Sequence, residues 1–508
     1  MFSRPLRVLL PLIVCLAAPA AAQSDAPITA ADMRRHIEVL ASDAFQGRAP
    51  GTPGETRTTD YIVAQLRQRG VAPAGDNGTW LQAVPLIERT TQDHEASFTA
   101  NGHEIAFDHA DIALQGREAD ERIADAPVIF AGHGARMPEH GIDQIAGTDV
   151  HGAVVIILLD PPAVEGFPSL GDRVKAMADA GAAAVIALTG PELPWSEVQR
   201  IYHYPATKLA TQTVPPIIGA MPLTAAQHLI AAAGGDLDHL LNDQPGSSFR
   251  AVTLPLRATL HVTTAIHAYT TNNVVGRIPG TRAGGNGESL LYLAHWDHLG
   301  ICRPEGEADR ICNGAVDNAS GVAMMIEIAG RLARQPHPAR DILFLATTAE
   351  EKGLLGAEYF ATHPVVPIHS IVAAINIDMP AIAPAGAPVA EIGRGVAPLD
   401  SIVHQTILAA GRQIDGDTEA DSFAQPQDGW ALARAGVPSV MIGGAFSDTA
   451  RLGAFLQSRY HSPTDQAGQN LELGGAAEDA DLLVALGRRL ADPATYQLPA
   501  RNNEEIAQ

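Results

Sequence analysis

Apolar residues fall into short unbroken runs along this chain, and several of those runs stop on residues that carry chemistry. Leu290, Leu291, Tyr292, Leu293 and Ala294 have the length of a buried strand and give way to His295, Asp297 and His298. Asp341 to Thr348, reading DILFLATT, is a second such run, followed at once by the adjacent carboxylates Glu350 and Glu351. Ile371 to Ile377 is a third, and it ends on Asp378. Between them the period changes: Val322, Met325, Ile326, Ala329 and Leu332 repeat with helical spacing, preceded by the capping types Asp317 and Asn318. Strands alternating with helices predict an α/β fold, a mixed sheet sandwiched by helices. In such sheets ligand sites lie beyond the carboxyl ends of the strands. The three strand ends, the helix mouth at Asp317 and a later loop carrying His461 (YHSPTD) are therefore expected to share one crevice.

The residue types gathered there suit a paired metal site. Two zinc ions about 3.5 Å apart take roughly four ligands each from imidazole and carboxylate, and one carboxylate can bridge both. A spare Glu beside a ligand Glu supplies the base that moves the proton of an attacking water. Each residue alone has a plainer reading: a strand-end His as a hydrogen-bonded structural group, Glu350-Glu351 as a solvated helix start, Asp317 as a simple cap. Their joint occurrence, each at a strand end or helix start, favours the metal site.

These stretches resemble the di-zinc aminopeptidases typified by bacterial leucyl aminopeptidase, a family that includes glutamate carboxypeptidase and glutaminyl cyclase relatives. The matching pieces are AHWDHLG, NGAVDNASG, TTAEEKGLLGA from Thr347, NIDM around Asp378, and YHSPTD around His461. The resemblance implies a zinc exopeptidase fold. It implies that His295, Asp317 and Asp378 hold one zinc and that Asp317, Glu351 and His461 hold the other. By the same resemblance Glu350 is the general base, Asp297 orients His295, and the Asp317–Asn318 peptide is cis. One departure is visible. Relatives often carry Ser-Asp-His before a Gly-Ile-Pro strand start, whereas this chain has Gln427, Asp428 and Gly429 before Ala435, Gly436, Val437 and Pro438. No substrate role is carried over for this loop.

Length and charge bound the rest. The 508 residues suffice for two or three domains. A net charge of −23 argues against nucleic acid or an anionic membrane as partner. Residues 1–22 read as a signal peptide, with Arg4 and Arg7 before an apolar run from Val8 to Ala18 and small residues at Ala20, Ala21 and Ala22. Cys15 follows Val14 and not the small residue a lipid anchor prefers, and no later run reaches the roughly 20 residues of a membrane span, so no membrane anchor is expected. Cys302 and Cys312 sit close together on the loop between the first two motifs. In an oxidising compartment that spacing favours a disulfide over a further zinc site.

The remaining patterns divide the chain. Residues 23–117 open the catalytic domain with helices around Met33, Ile37 and Leu40 and around Tyr61, Ile62 and Leu66, joined by the Gly- and Pro-rich LASDAFQGRAPGTPG. Residues 118–248 resemble an inserted, mostly β protease-associated domain that acts as a lid over the site or as a packing module. The catalytic domain resumes over 249–498, and 499–508 form a polar tail. The expected function is a periplasmic or secreted two-zinc aminopeptidase acting on peptides. The alternatives are a carboxypeptidase or dipeptidase of the same family, a glutaminyl cyclase, and an inactive peptide-binding module.

Overall fold

A computed structural model describes residues 26–162, 167–242, 249–281, 287–425, 427–468 and 471–498. The expected signal segment and tail lie outside the described residues. The apolar runs become the centre of a mixed sheet. Ser289–His295 lies between Asp341–Thr347 and Ile371–Asn376, parallel to both, and Ser439–Gly443 continues the parallel set. Parallel strands need both faces covered, which is why these runs are apolar without alternation. Leu290, Tyr292 and Ala294 pack on one side against helices Ala30–Leu40, Ser320–Ala333 and Leu473–Leu490. Leu291 and Leu293 face the other side, with Ala357 and Phe360 of Leu355–Thr362 and Leu432 of Asp428–Arg434. The sandwich of helices around a mixed sheet is as the pattern predicts.

One strand joins this layer to a second one. Val252–Ile278 is 27 residues long. Its last residues, Val274–Ile278, pair with Asp341–Thr347, while its first half pairs with Asp120–Phe130. The strand stays continuous through the exposed stretch Ala265–Ala268 because Leu81–Ala100 pairs along it. The second layer adds parallel strands Val154–Leu158, Ala184–Thr189 and Ile217–Pro222. Helices Leu170–Asp179 and Trp195–His203 follow the first and second of these strands, and Leu223–Ala232 and Leu237–Asn242 both follow the third. The insert is thus α/β where a mostly β module was expected, because parallel neighbours need crossover connections and helices supply them. Its apolar core also takes in Phe98, Leu254, Leu256, Ala258 and Leu260 from the flanking strands.

Cys302 and Cys312 form a disulfide between the short strands Gly300–Ile301 and Ile311–Cys312. Among the described residues no helix is long and apolar enough to cross a membrane.

Candidate metal centre

The strand Ser289–His295 ends by placing the His295 ring, 2 % exposed, at the sheet's carboxyl edge. Its Nε2 lies 3.2 Å from Asp317 Oδ1 and 3.4 Å from Asp378 Oδ1. Its Nδ1 is 3.2 Å from the Asp297 carbonyl oxygen and 3.8 Å from the Asp297 carboxylate. Asp297 therefore orients this imidazole chiefly through its backbone. Its carboxylate instead accepts the Glu350 backbone N–H at 3.1 Å. Across the crevice, His461 Nε2 is 3.4 Å from Asp317 Oδ2 and 2.8 Å from Glu351 Oε2. The two oxygens of Asp317 thus face two different imidazoles, each with a further carboxylate beside it. Proximity alone also groups His295 with Asp317 and Glu351, and His295 with Glu350 and Asp378, with donor atoms within 4.8 Å of one another.

The backbone is bent to make this convergence. Ala349, Met379 and His461 have φ of 52°, 45° and 55°. Such left-handed non-glycine residues cost about 1–3 kcal/mol each and cluster where a site demands them. The first two flank Glu350 and Asp378, and the third is itself a member of the cluster. The Asp317–Asn318 peptide is cis, as the resemblance implies. Asn318, and not Asp317, does the capping: its Oδ1 accepts the Gly321 N–H at 2.9 Å, and its Nδ2 donates to the Ile377 carbonyl at 2.9 Å. That frees the Asp317 carboxylate for the crevice.

Three further groups complete the site: Arg48 and Asp465, which the strand-end pattern did not single out, and His298, which it placed at the strand end without a role. Arg48 is buried and donates to the carbonyls of Leu40, Trp296, Asn313 and Gly314 at 2.5–2.9 Å. Gly47 lets this loop approach, since a Cβ there would lie 2.4 Å from the Cys312 carbonyl oxygen. Asp465 accepts the backbone N–H groups of Val316 and Asp317 at 3.0 and 3.1 Å. His298, wholly buried, has Nδ1 2.5 Å from Glu351 Oε1. Asp465 and His298 sit inside stretches already recognised, and Arg48 in the connector loop; each acts on residues far away in sequence.

The charge balance of the crevice calls for cations. Six carboxyl groups, on Asp297, Asp317, Glu350, Glu351, Asp378 and Asp428, surround three imidazoles. Burial pushes Glu350 well above the usual carboxylate range, helped by the charges of Glu351 and Asp428. It likewise raises Asp378, and raises Asp297 to about 7 and Asp428 to about 6. Burial works against a charged His461, yet the carboxylates of Asp317 and Glu351 beside it push it up to about 10. Burial also opposes a charged His295, and the negative charges of Glu350 and Asp378 carry it well above its ordinary value. Asp317 Oδ2, Asp378 Oδ1 and His461 Nε2 are buried and make no hydrogen bond. Lone pairs aimed together in this way fit divalent cations.

Comparison with known proteins agrees with this chemistry. A family model described as peptidase family M28 matches residues 273–486. That stretch belongs to peptidase family M28. The matched M28 region contains all five metal-ligand candidates together with Glu350 and Asp297. A probable lipoprotein aminopeptidase of Mycobacterium tuberculosis is 24 % identical over 416 residues, covering 79 % of this chain and 69 % of that protein. A probable zinc metalloprotease of Pyrenophora tritici-repentis is 44 % identical over 104 residues, covering 20 % of this chain and 23 % of that protein. Among solved structures, an aminopeptidase from Aneurinibacillus sp. strain AM-1 aligns over 94 % of this chain and 97 % of its own, with a TM-score of 0.51 and 15 % identity. That likeness is one of fold, and it extends across the second layer as well as the M28 region.

Proposed function

We propose that this M28 peptidase is a two-zinc aminopeptidase that removes N-terminal residues from peptides outside the cytoplasm. The observation that carries the reading is Asp317, whose Oδ1 faces His295 and whose Oδ2 faces His461. His295, Asp317 and Asp378 would hold one ion, and Asp317, Glu351 and His461 the other. Zinc bound there would polarise the scissile carbonyl and make water acidic enough to react near neutral pH. Glu350 has a raised proton affinity and, among the described residues, no hydrogen bond to its carboxylate. It is suited to take the proton of the attacking water and return it to the leaving amine as the C–N bond breaks.

An N-terminal amine suits this crevice better than a C-terminal carboxylate. The bordering cations are already engaged: Arg48 donates to four carbonyls, and Arg459 pairs with Asp465 at 3.2 Å. The surplus of carboxylates favours an ammonium group. Location outside the cytoplasm is supported by the leader-like residues 1–22, the Cys302–Cys312 disulfide and the lipoprotein name of the M. tuberculosis relative. We read the second layer as a protease-associated domain.

Two measurements test the proposal. The purified chain is expected to carry about two zinc ions, and acetylating a peptide's α-amine is expected to abolish cleavage while amidating its carboxyl end leaves it intact. The opposite substrate pattern would make the enzyme a carboxypeptidase, and full activity with one ion or none would remove Asp317 as a bridge.

A further inference from the structure

Glu350 and Glu351 are adjacent, identical in side chain and both at the crevice, yet among the described residues only Glu351 has its carboxylate held by a hydrogen-bond partner. Glu351 Oε1 lies 2.5 Å from His298 Nδ1, which leaves Oε2 facing His461. The His298 ring is fixed from behind by Gly314, whose φ is +55°. A Cβ built there would lie 2.6 Å from ring atoms Cγ and Cδ2, so only glycine admits the ring in this place. From the side it meets the ring of His461 edge-on, with centroids 5.7 Å apart. At 3.8 Å its Nδ1 is beyond hydrogen-bond reach of Asp317 Oδ2.

We propose that His298 is a positioning residue: its Nδ1–H fixes one oxygen of Glu351, so that Glu351 presents the other to the metal while Glu350 remains unheld and available to move protons. The inference deepens the two-zinc reading and rests on it. Partners that hold a ligand in place typically contribute 10- to 100-fold in metal affinity.

The test compares His298→Asn, whose side-chain N–H falls near the Nδ1 position, with His298→Gln, whose N–H falls near Nε2. Zinc per chain is measured by elemental analysis during titration with a chelator, alongside melting of the metal-stripped proteins. The asparagine variant is expected to keep two zinc ions with affinity near that of the unaltered chain. The glutamine variant is expected to release one of them about tenfold or more easily, and excess zinc should restore part of its activity. A general packing role would affect both variants alike and would appear in the metal-stripped melts. Equal zinc retention by the two variants overturns the proposal, and equal loss does so too, because it would mean that the imidazole itself is required. If the unaltered chain fails to hold two zinc ions, it is the two-zinc reading that has failed. If it holds two and the variants do not differ, the failure belongs to His298.

Discussion

At the scale of single residues, the pair Glu350 and Glu351 shows how neighbours of one type acquire separate surroundings. The strand Asp341–Thr347 delivers both, and the left-handed Ala349 turns the chain so that both reach the crevice. Replacing Glu350 with Gln keeps its shape but removes its capacity to accept a proton. Turnover is expected to fall roughly 100- to 10,000-fold, the usual worth of general acid–base catalysis, with zinc content and KM near those of the unaltered chain. Glu351→Gln should instead weaken one metal site and respond to added zinc. Elemental analysis of the two variants decides the matter: if the Glu350 variant loses metal and the Glu351 variant keeps both ions, the roles are reversed. Of the residues at this scale that were legible in the sequence, His295, Asp317, Glu350, Glu351 and Asp378 share one property, that each follows or precedes a run whose period fixes where the chain ends its element, whereas His461 was legible only as part of the loop stretch YHSPTD. His298 was visible as an imidazole beside His295. Its service to Glu351, 53 positions away, was not, because strand periodicity says nothing about which side chains meet across a crevice.

At the scale of elements, the strands bring the candidate ligands to one edge, but the loops after them decide where the donor atoms point. Those loops are tied to one another by groups that contribute no ligand. Asn318 links the mouth of helix Ser320–Ala333 to the end of the strand that bears Asp378. Asp465 holds the Asp317 loop against the segment that bears His461. Arg48 reaches from the connector after the first helix to the carbonyls of Trp296, Asn313 and Gly314. Its burial lowers its proton affinity to about 10 while the charges of Asp317 and Asp297 oppose that loss. Arg48→Met would leave four carbonyls without their donor. We expect a loss of roughly 3–5 kcal/mol in unfolding free energy, together with reduced zinc content, both measurable on the same purified variant. A change of less than about 1 kcal/mol, within the range of ordinary substitutions, would show that the loops hold their positions without it. The sequence marked this segment as a connector rich in Gly and Pro, which gives its shape and not its destination, since three of the four carbonyls Arg48 reaches lie 248 to 266 positions onward.

At the scale of the whole molecule, the second layer is packed directly against the loop that carries Glu350. Leu209, in the insert's strand Ala206–Leu209, joins Val84 and Leu86 in a small apolar cluster with Ala349 and Leu355. Ala349 is the residue before Glu350, so the insert supports the turn that aims both glutamates. A second tie, Arg434 to Asp172 and Glu358, is half-exposed and of the kind that contributes about 1 kcal/mol or less. Of these two side-chain ties the apolar cluster is the stronger, alongside the strands that run through both layers. The sequence left two roles open for the insert, a lid over the site and a packing module, because each layer's pattern describes only its own core. Leu209→Ala distinguishes them. Removing that side chain leaves a cavity under Ala349 and is expected to cost roughly 2–4 kcal/mol. If the insert supports the catalytic turn, kcat should fall by a similar factor for dipeptides and for long peptides, with KM little changed, because the displaced group is Glu350 itself. If the insert acts as a lid, kcat should hold while KM changes with peptide length, because what loosens is the passage and not the turn. The packing seen at Leu209 points to the first pattern, and steady-state kinetics on a peptide ladder would overturn it by giving the second.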